Sequence, residues 1–241
     1  MPGVDTSSMR EFWDKRARED PFYFVDDREP YHHADEERFW RAGERELDAL
    51  LRRLGLAVEP GSRVMDVGCG IGRLTRVLAR RAAHVTAVDI SPEMLARAQE
   101  LNPGLDNVEW VLGEGDSLAG IERGSHDAVV CHEVLQHIPM VRVQLGYVAE
   151  FARVLRPGGW AAFDLATAPA RNRQGPEMHS RRGFLQALVG RTPSGRDKPE
   201  WRGTFVPLDN LGATATMVGL TLDRIEGAGT PRTVVRGIRD A

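Results

Sequence analysis

The run Val64-Met-Asp-Val-Gly-Cys-Gly-Ile-Gly-Arg-Leu-Thr75 decides the fold. It opens as a short apolar strand, turns through Gly68, Gly70 and Gly72, and enters a helix whose Leu74, Val77 and Leu78 share a face. Without side chains at those glycines the backbone can turn tightly and a ligand can lie directly against it. Asp66 sets a carboxylate just before the turn, and Val85-Thr-Ala-Val-Asp89 supplies a second apolar strand ending in an acid. An acid there is where a bound nucleoside places its ribose hydroxyls. The two stretches together describe a nucleoside pocket.

Working outward, apolar runs and helical patterns alternate. Strands are expected at 63–67, 84–88, 108–112, 127–132 and 159–165, with helices near 72–81, 92–100, 136–138 and 143–155. That alternation predicts an α/β, doubly wound, Rossmann-like sheet with helices on both faces. Ser91-Pro92 is a helix start, serine as cap and proline in the first turn. Ahead of this core, Thr6 or Ser7 is expected to cap a first helix of about ten residues through Glu19, and Asp35 to Leu54 reads as a long amphipathic helix ended by Gly55. The loop between them, 20–33, is rich in aromatics: Phe22, Tyr23, Phe24 and Tyr31. Either they pin an N-terminal arm to the domain, or the arm covers the crevice and lends its wall aromatic rings. Residues 170–203 carry eight basic and three acidic side chains around one short helix near 181–189. Such a stretch is either a solvated loop or a lid over an anionic ligand. A helix at 208–218 and strands at 220–226 and 231–238 close the chain. One domain over 1–241 is expected, divided into an arm 1–54, a core 55–166, a lid-like insertion 167–205 and a C-terminal helix and hairpin 206–241.

The composition, 41% hydrophobic and 28% charged with a net charge of −3, is that of an ordinary globular protein. It gives no global case for nucleic acid or an anionic membrane as partner. Two cysteines, Cys69 and Cys131, each end a strand, and reduced thiols in a cytoplasmic protein are expected. The N-terminus lacks the apolar core of a signal peptide, and no apolar run approaches a membrane span.

The spacing of the turn separates two kinds of nucleotide site. The dinucleotide fingerprint is Gly-x-Gly-x-x-Gly, whereas here it is Gly-x-Gly-x-Gly, with Arg73 where the third glycine would be expected. In this, Asp66-Val-Gly68-Cys-Gly70-Ile-Gly72 resembles the first motif of the class I S-adenosylmethionine-dependent methyltransferases. Arg153-Val-Leu-Arg-Pro-Gly-Gly159 resembles the turn before the fifth strand in that family, in particular its ubiquinone/menaquinone-biosynthesis and small-molecule branch, often labelled type 11. The resemblance implies a seven-stranded sheet, mostly parallel with a C-terminal antiparallel hairpin, and S-adenosylmethionine as cofactor. It implies methyl transfer to an oxygen, nitrogen or carbon of a small metabolite, secondary metabolism being a guess by analogy.

By that resemblance Asp66, Gly68, Cys69 and Gly70, with Gly72 and Arg73 completing the turn, are expected to cradle the methionine part, Asp66 favouring its ammonium. Asp89 would accept from the ribose hydroxyls and Ile90 would cover an adenine face. Asp116 and Ser117 are expected at the adenine edge, unless Asp116 only caps a turn, and Cys131 or His132 offers a carbonyl to the methionine ammonium. Cys131-His-Glu-Val134 has none of the Asn/Asp-Pro-Pro-Tyr/Phe pattern that base methylation requires. Methyl transfer is an in-line displacement, so the protein aligns the reactants and removes a proton from a hydroxyl or ammonium acceptor. His132 and His137 are the candidate bases, since imidazole titrates near neutrality, and each also has a purely structural reading. Glu133 alone does not make a magnesium site, and no metal is expected. The acceptor and the oligomeric state are open. The alternatives from other classes are a nucleotide-binding oxidoreductase and a non-catalytic S-adenosylmethionine-binding protein.

Overall fold

A computed structural model describes residues 5–169, 193 and 195–241. Seven strands form one sheet in the order β3-β2-β1-β4-β5-β7-β6. They are β1 (Arg63–Val67), β2 (His84–Asp89), β3 (Val108–Leu112), β4 (His126–Cys131), β5 (Leu155–Leu165), β6 (Leu220–Glu226) and β7 (Thr233–Arg239). The first five pair in parallel, while β7 lies antiparallel to both β5 and β6. The chain reverses from β1 to β4 at the middle of the sheet, the switch point where open α/β sheets bind ligands.

The strands read as continuous apolar runs because both faces are covered. On one face Met65, Val67, Val129, Cys131, Phe163 and Leu165 pack with Val148 and Phe151 of helix α6 (Val141–Val154). On the other, Val64, Val85, Val130 and Ala162 meet Leu47, Leu50 and Leu54 of α3 (Glu36–Leu54) and Val77 and Leu78 of α4 (Thr75–Ala79). α3 begins at Asp35, whose carboxylate accepts from Arg38 N at 3.0 Å. It ends at Gly55, whose φ of +63° lets Leu56 N reach Leu51 O at 2.9 Å. α5 (Pro92–Leu101) starts as expected, Ser91 Oγ accepting from Met94 N at 3.0 Å.

Several boundaries differ from expectation, and three of the differences have a clear local cause. α1 runs Thr6–Glu19, and its cap is Asp5, which accepts from Ser8 N while Ser8 Oγ accepts from Asp5 N. A residue that both gives and takes with the third helical position outcompetes the hydroxyls beside it. The loop at 20–33 contains a short helix, α2 (Pro21–Val25), because Asp20 accepts from Tyr23 N and Pro21 has its φ preset. β5 starts four residues earlier than expected, at Leu155, which pairs with His126, and the register with β4 then jumps across Arg156-Pro-Gly-Gly159 to set Trp160 opposite Ala128. The helix expected near 181–189 lies outside the described residues. After them come the four-residue turn α7 (Pro199–Arg202) and α8 (Leu208–Met217). Among the described residues no helix is long and apolar enough to cross a membrane.

Candidate active site

The carboxyl ends of β1 and β2 build one end of the site. Gly68 has a φ of +75° and Gly70 of +54°, a backbone L side chains rarely adopt. A Cβ on Gly68 would stand 2.2 Å from Val134 Cγ2, and one on Gly70 2.9 Å from Val25 Cγ2. The turn is held by Val88 O, which accepts from Gly68 N at 2.7 Å and Cys69 N at 3.1 Å. Asp89 grips it from β2: one carboxylate oxygen accepts from Gly70 N at 2.8 Å and the other from Ser91 N at 2.9 Å. Asp66 accepts from Thr75 Oγ1 at 2.6 Å, so α4 anchors the first acid as α5 anchors the second.

Loss of water around them pushes both carboxyls up to about 6. The hydrogen bond from Thr75 opposes this at Asp66, as do the backbone N–H groups of Ser91 and Gly70 at Asp89. Two carboxyls kept short of water beside an open cavity suit a cationic or hydroxyl-bearing ligand.

That cavity has a volume of about 680 Å³. Asp66, Gly68, Cys69, Gly70, Arg73, Asp89, Ile90, His132 and His137 line it, as the sequence suggested. Gly72, Asp116, Ser117 and Cys131 do not form its lining. Gly72 backs onto Asn102 and Trp110, Asp116 is exposed, and the Cys131 side chain is buried in the core with its thiol pushed up by that burial. Both cysteines are free. Arg73 turns its guanidinium away from the glycines, to Glu46 at 2.6 Å and Asp26 at 3.3 Å, over the Phe39 ring. It thereby ties the turn to the arm.

The opposite end is aromatic, and the sequence showed only part of it. Trp13 of α1, Phe24 of α2 and Trp201 of α7 line the cavity beside His137, which sits in a 3-10 turn after β4. Ring centroids lie 5.7 Å apart for Phe24 and Trp201 and 5.2 Å for His137 and Trp201. Trp201 O accepts from His137 Nδ1 at 2.6 Å, which fixes the tautomer of that ring. The arm therefore has both roles considered for it. Phe22 packs on Phe39 and Trp40 as an anchor, whereas Phe24 faces the cavity. Trp13 and Trp201 gave no signal of their own, because only the tertiary fold brings α1 and α7 together.

Residues 65–163 match the family described as Methyltransferase domain. A ubiquinone biosynthesis O-methyltransferase of Xanthomonas axonopodis pv. citri is 38% identical over 205 residues, covering 79% of this chain and 78% of that protein. The chain belongs to the class I S-adenosylmethionine-dependent methyltransferases. Its counterpart by the same description in Xanthomonas campestris is 40% identical over 115 residues, and there the chain spans only 45% of the relative's length. Among solved structures, magnesium protoporphyrin IX methyltransferase from Synechocystis, with bound S-adenosylhomocysteine, superposes with a TM-score of 0.63 at 18% identity, covering 98% of this chain and 100% of that one. A methyltransferase from Aquifex aeolicus superposes with a TM-score of 0.54 at 18% identity, covering 98% of this chain and 99% of that one. At such identity the two structures speak for the fold. Membership of that family sets the oxidoreductase alternative aside.

Proposed function

We propose that this methyltransferase transfers the methyl group of S-adenosylmethionine to a hydroxyl oxygen of a small aromatic molecule. The observation that carries the reading is the polarity of the cavity, with Asp66 and Asp89 at one end and Trp13, Phe24, His137 and Trp201 at the other. The relatives named as O-methyltransferases of ubiquinone biosynthesis support oxygen as the accepting atom. When bound, the cofactor supplies a methyl group already activated on a sulfonium. The cradle fits it: Gly68 and Gly70 present bare backbone, Asp66 is suited to its ammonium, and Asp89 to its ribose hydroxyls. Ile90 is suited to an adenine face, and its side chain lies where a Cβ on Gly115 would fall, at 2.3 Å. Cys69 and His132 add backbone around the methionine part. Gly72 and Cys131 act from behind, shaping the turn and the end of β4.

The chain works as one unit, with the arm 1–54 and residues 195–205 as the acceptor-side cover; most of the lid-like insertion lies outside the described residues. Aromatic walls exclude water and orient a flat acceptor in line with the sulfonium, which is the larger part of catalysis of a displacement. A histidine then takes the hydroxyl proton. Calorimetric titration tests the first half: S-adenosylmethionine and S-adenosylhomocysteine are expected to bind and NAD to remain silent. S-adenosylhomocysteine release with catechol and with amine acceptors tests the second. Release with amines only would refute oxygen as the accepting atom.

A further inference from the structure

We infer that Asp164 and His132 form a dyad in which Asp164 positions His132 as the base that takes the acceptor's proton. The inference deepens the methyl-transfer reading and rests on it.

Register brings the two together. Cys131 of β4 pairs in parallel with Phe163 of β5, so His132, just past the end of β4, and Asp164, within β5, stand side by side at the carboxyl end of the sheet. His132 Nδ1 lies 3.4 Å from Asp164 Oδ1. Asp164 is wholly buried, and its Oδ2 has no hydrogen-bond partner. Nδ1 of His132 is likewise buried without one. A buried carboxylate with an unpartnered oxygen is costly, and an N–H on that imidazole nitrogen beside it would ease the cost. Hydrogen bonds at catalytic sites are often long before substrate arrives, and a small ring rotation closes this one.

The second oxygen contact explains how the pair is held. Asp164 Oδ1 also accepts from Glu133 N at 2.6 Å, and Glu133 has a φ of +60°, an unusual backbone for a non-glycine residue. The buried carboxylate thus pins the strained turn that leads out of β4 and aims His132 into the cavity it lines. With Nδ1–H turned to Asp164, Nε2 is left as the basic nitrogen. His137 is less suited, since the partner of its Nδ1 is a neutral carbonyl, not a carboxylate, and its Nε2 already faces Gln136 Nε2 at 3.5 Å.

In the step itself the acceptor's O–H proton passes to His132 Nε2 as the oxygen lone pair forms the bond to the methyl carbon. The carbon–sulfur bond breaks, and its electron pair stays on sulfur. His132 is then an imidazolium beside the Asp164 carboxylate, and it later gives its proton to water. A metal reading of the same group, His132, Glu133 and Asp164 with ligand-type atoms within 4.8 Å of one another, is less favoured, because the Glu133 carboxylate already pairs with the Arg232 guanidinium.

Nitrogen-15 NMR of the His132 ring, in the protein saturated with S-adenosylhomocysteine, tests the dyad without turnover. The wild type is expected as the Nδ1–H tautomer, and Asp164→Asn is expected to weaken that tautomer preference. With catechol as acceptor, Asp164→Asn should lower kcat at least tenfold with acceptor KM and cofactor affinity within twofold. Asp164→Glu should recover part of kcat, and His132→Gln should remove the acidic limb of the pH–rate profile, the fall in rate as the base is protonated. An Nε2–H tautomer in the wild type overturns the dyad even if Asp164→Asn does not fold, and so does an unchanged kcat in a folded Asp164→Asn. Binding of MgCl₂ or ZnCl₂ that is lost in Asp164→Asn overturns it in favour of a metal site. Failure of the wild type to bind S-adenosylmethionine, or to turn over catechol while the NMR signature holds, would instead count against the methyl-transfer reading.

Discussion

At the glycine-turn end of the cavity, Asp66, Gly68, Gly70 and Asp89 come from one strand-turn-helix-strand unit, residues 66–89. At the aromatic end, Trp13, Phe24, His137 and Trp201 come from four segments spread between residues 13 and 201. The first end works through backbone shape and two anchored carboxylates, the second through side chains that only the tertiary fold assembles. The difference suits the chemistry proposed for each. One ligand is constant and is met by geometry that tolerates little change, whereas the other defines the enzyme and is met by residues that can vary without disturbing the sheet.

The comparison breaks first at Gly68. Gly68→Ala places a methyl group 2.2 Å from Val134 Cγ2 at a φ of +75°. Strain and overpacking together are expected to cost about 2–4 kcal/mol of stability and to weaken S-adenosylmethionine binding more than any other change considered. Chemical denaturation and calorimetry read the two effects. Gly61→Ala is the control: nothing lies within 4 Å of a Cβ there, and it should shift stability by less than about 0.5 kcal/mol. Equal effects at the two glycines would mean that the turn is no tighter than an ordinary loop.

Asp89→Ala comes next. It removes the carboxylate proposed for the ribose and also the acceptor of Gly70 N and Ser91 N. S-adenosylmethionine binding should weaken tenfold or more, on the order of 1.4 kcal/mol or above. Unchanged binding by a folded variant would take Asp89 out of the ribose site.

How much of this was legible in the sequence follows the same division. Residues 63–67 and 108–112 emerge as strands at the expected positions, because an apolar run bounded by turn residues is a local signal. Nine of the proposed site residues line the cavity, and all but Arg73 and His137 lie at or just past strand ends. Trp13 and Trp201 were invisible, since 188 positions separate them and their meeting at 6.2 Å between ring centroids is a tertiary event. Asp164 was missed for a related reason. An acid within an apolar strand reads as one more polar interruption until the β4–β5 register sets it beside His132. Arg73 shows another limit of the motif: it lines the cavity, yet its long side chain reaches back to Asp26 and Glu46.

A pH change sharpens the comparison without altering the chain. With both carboxyls near 6 in the folded protein and lower when unfolded, the native state binds more protons between those values. Stability contributed by these two groups therefore falls as pH rises through that window, because the buried acids must ionise. Cofactor binding runs the other way, since the ammonium and ribose hydroxyls call for ionised carboxylates. Lowering pH from 7.5 to 6.0 half-protonates each acid and should weaken S-adenosylmethionine about fourfold. Calorimetry at the two pH values checks this, and a flat profile would mean that neither acid contacts the cofactor as a carboxylate.

The smallest effect on cofactor binding is expected where the two ends are most independent. Trp201→Ala removes a ring from the aromatic wall but leaves its carbonyl in place, so the bond from His137 Nδ1 has no reason to break. The loss is then one of packing area against the acceptor, together with the edge contacts to Phe24 and Trp13. S-adenosylmethionine affinity should stay within about twofold, while the KM for an aromatic acceptor rises about tenfold, the scale of one lost aromatic contact. Parallel titration with the cofactor and steady-state kinetics with catechol separate the two. A fall in cofactor affinity as large as that of Asp89→Ala would show that α7 braces the glycine turn through the arm, by way of Arg196, Asp27 and the Arg73–Asp26 pair. The two ends would then be one coupled structure, and variation at the acceptor end would carry a cost at the cofactor end.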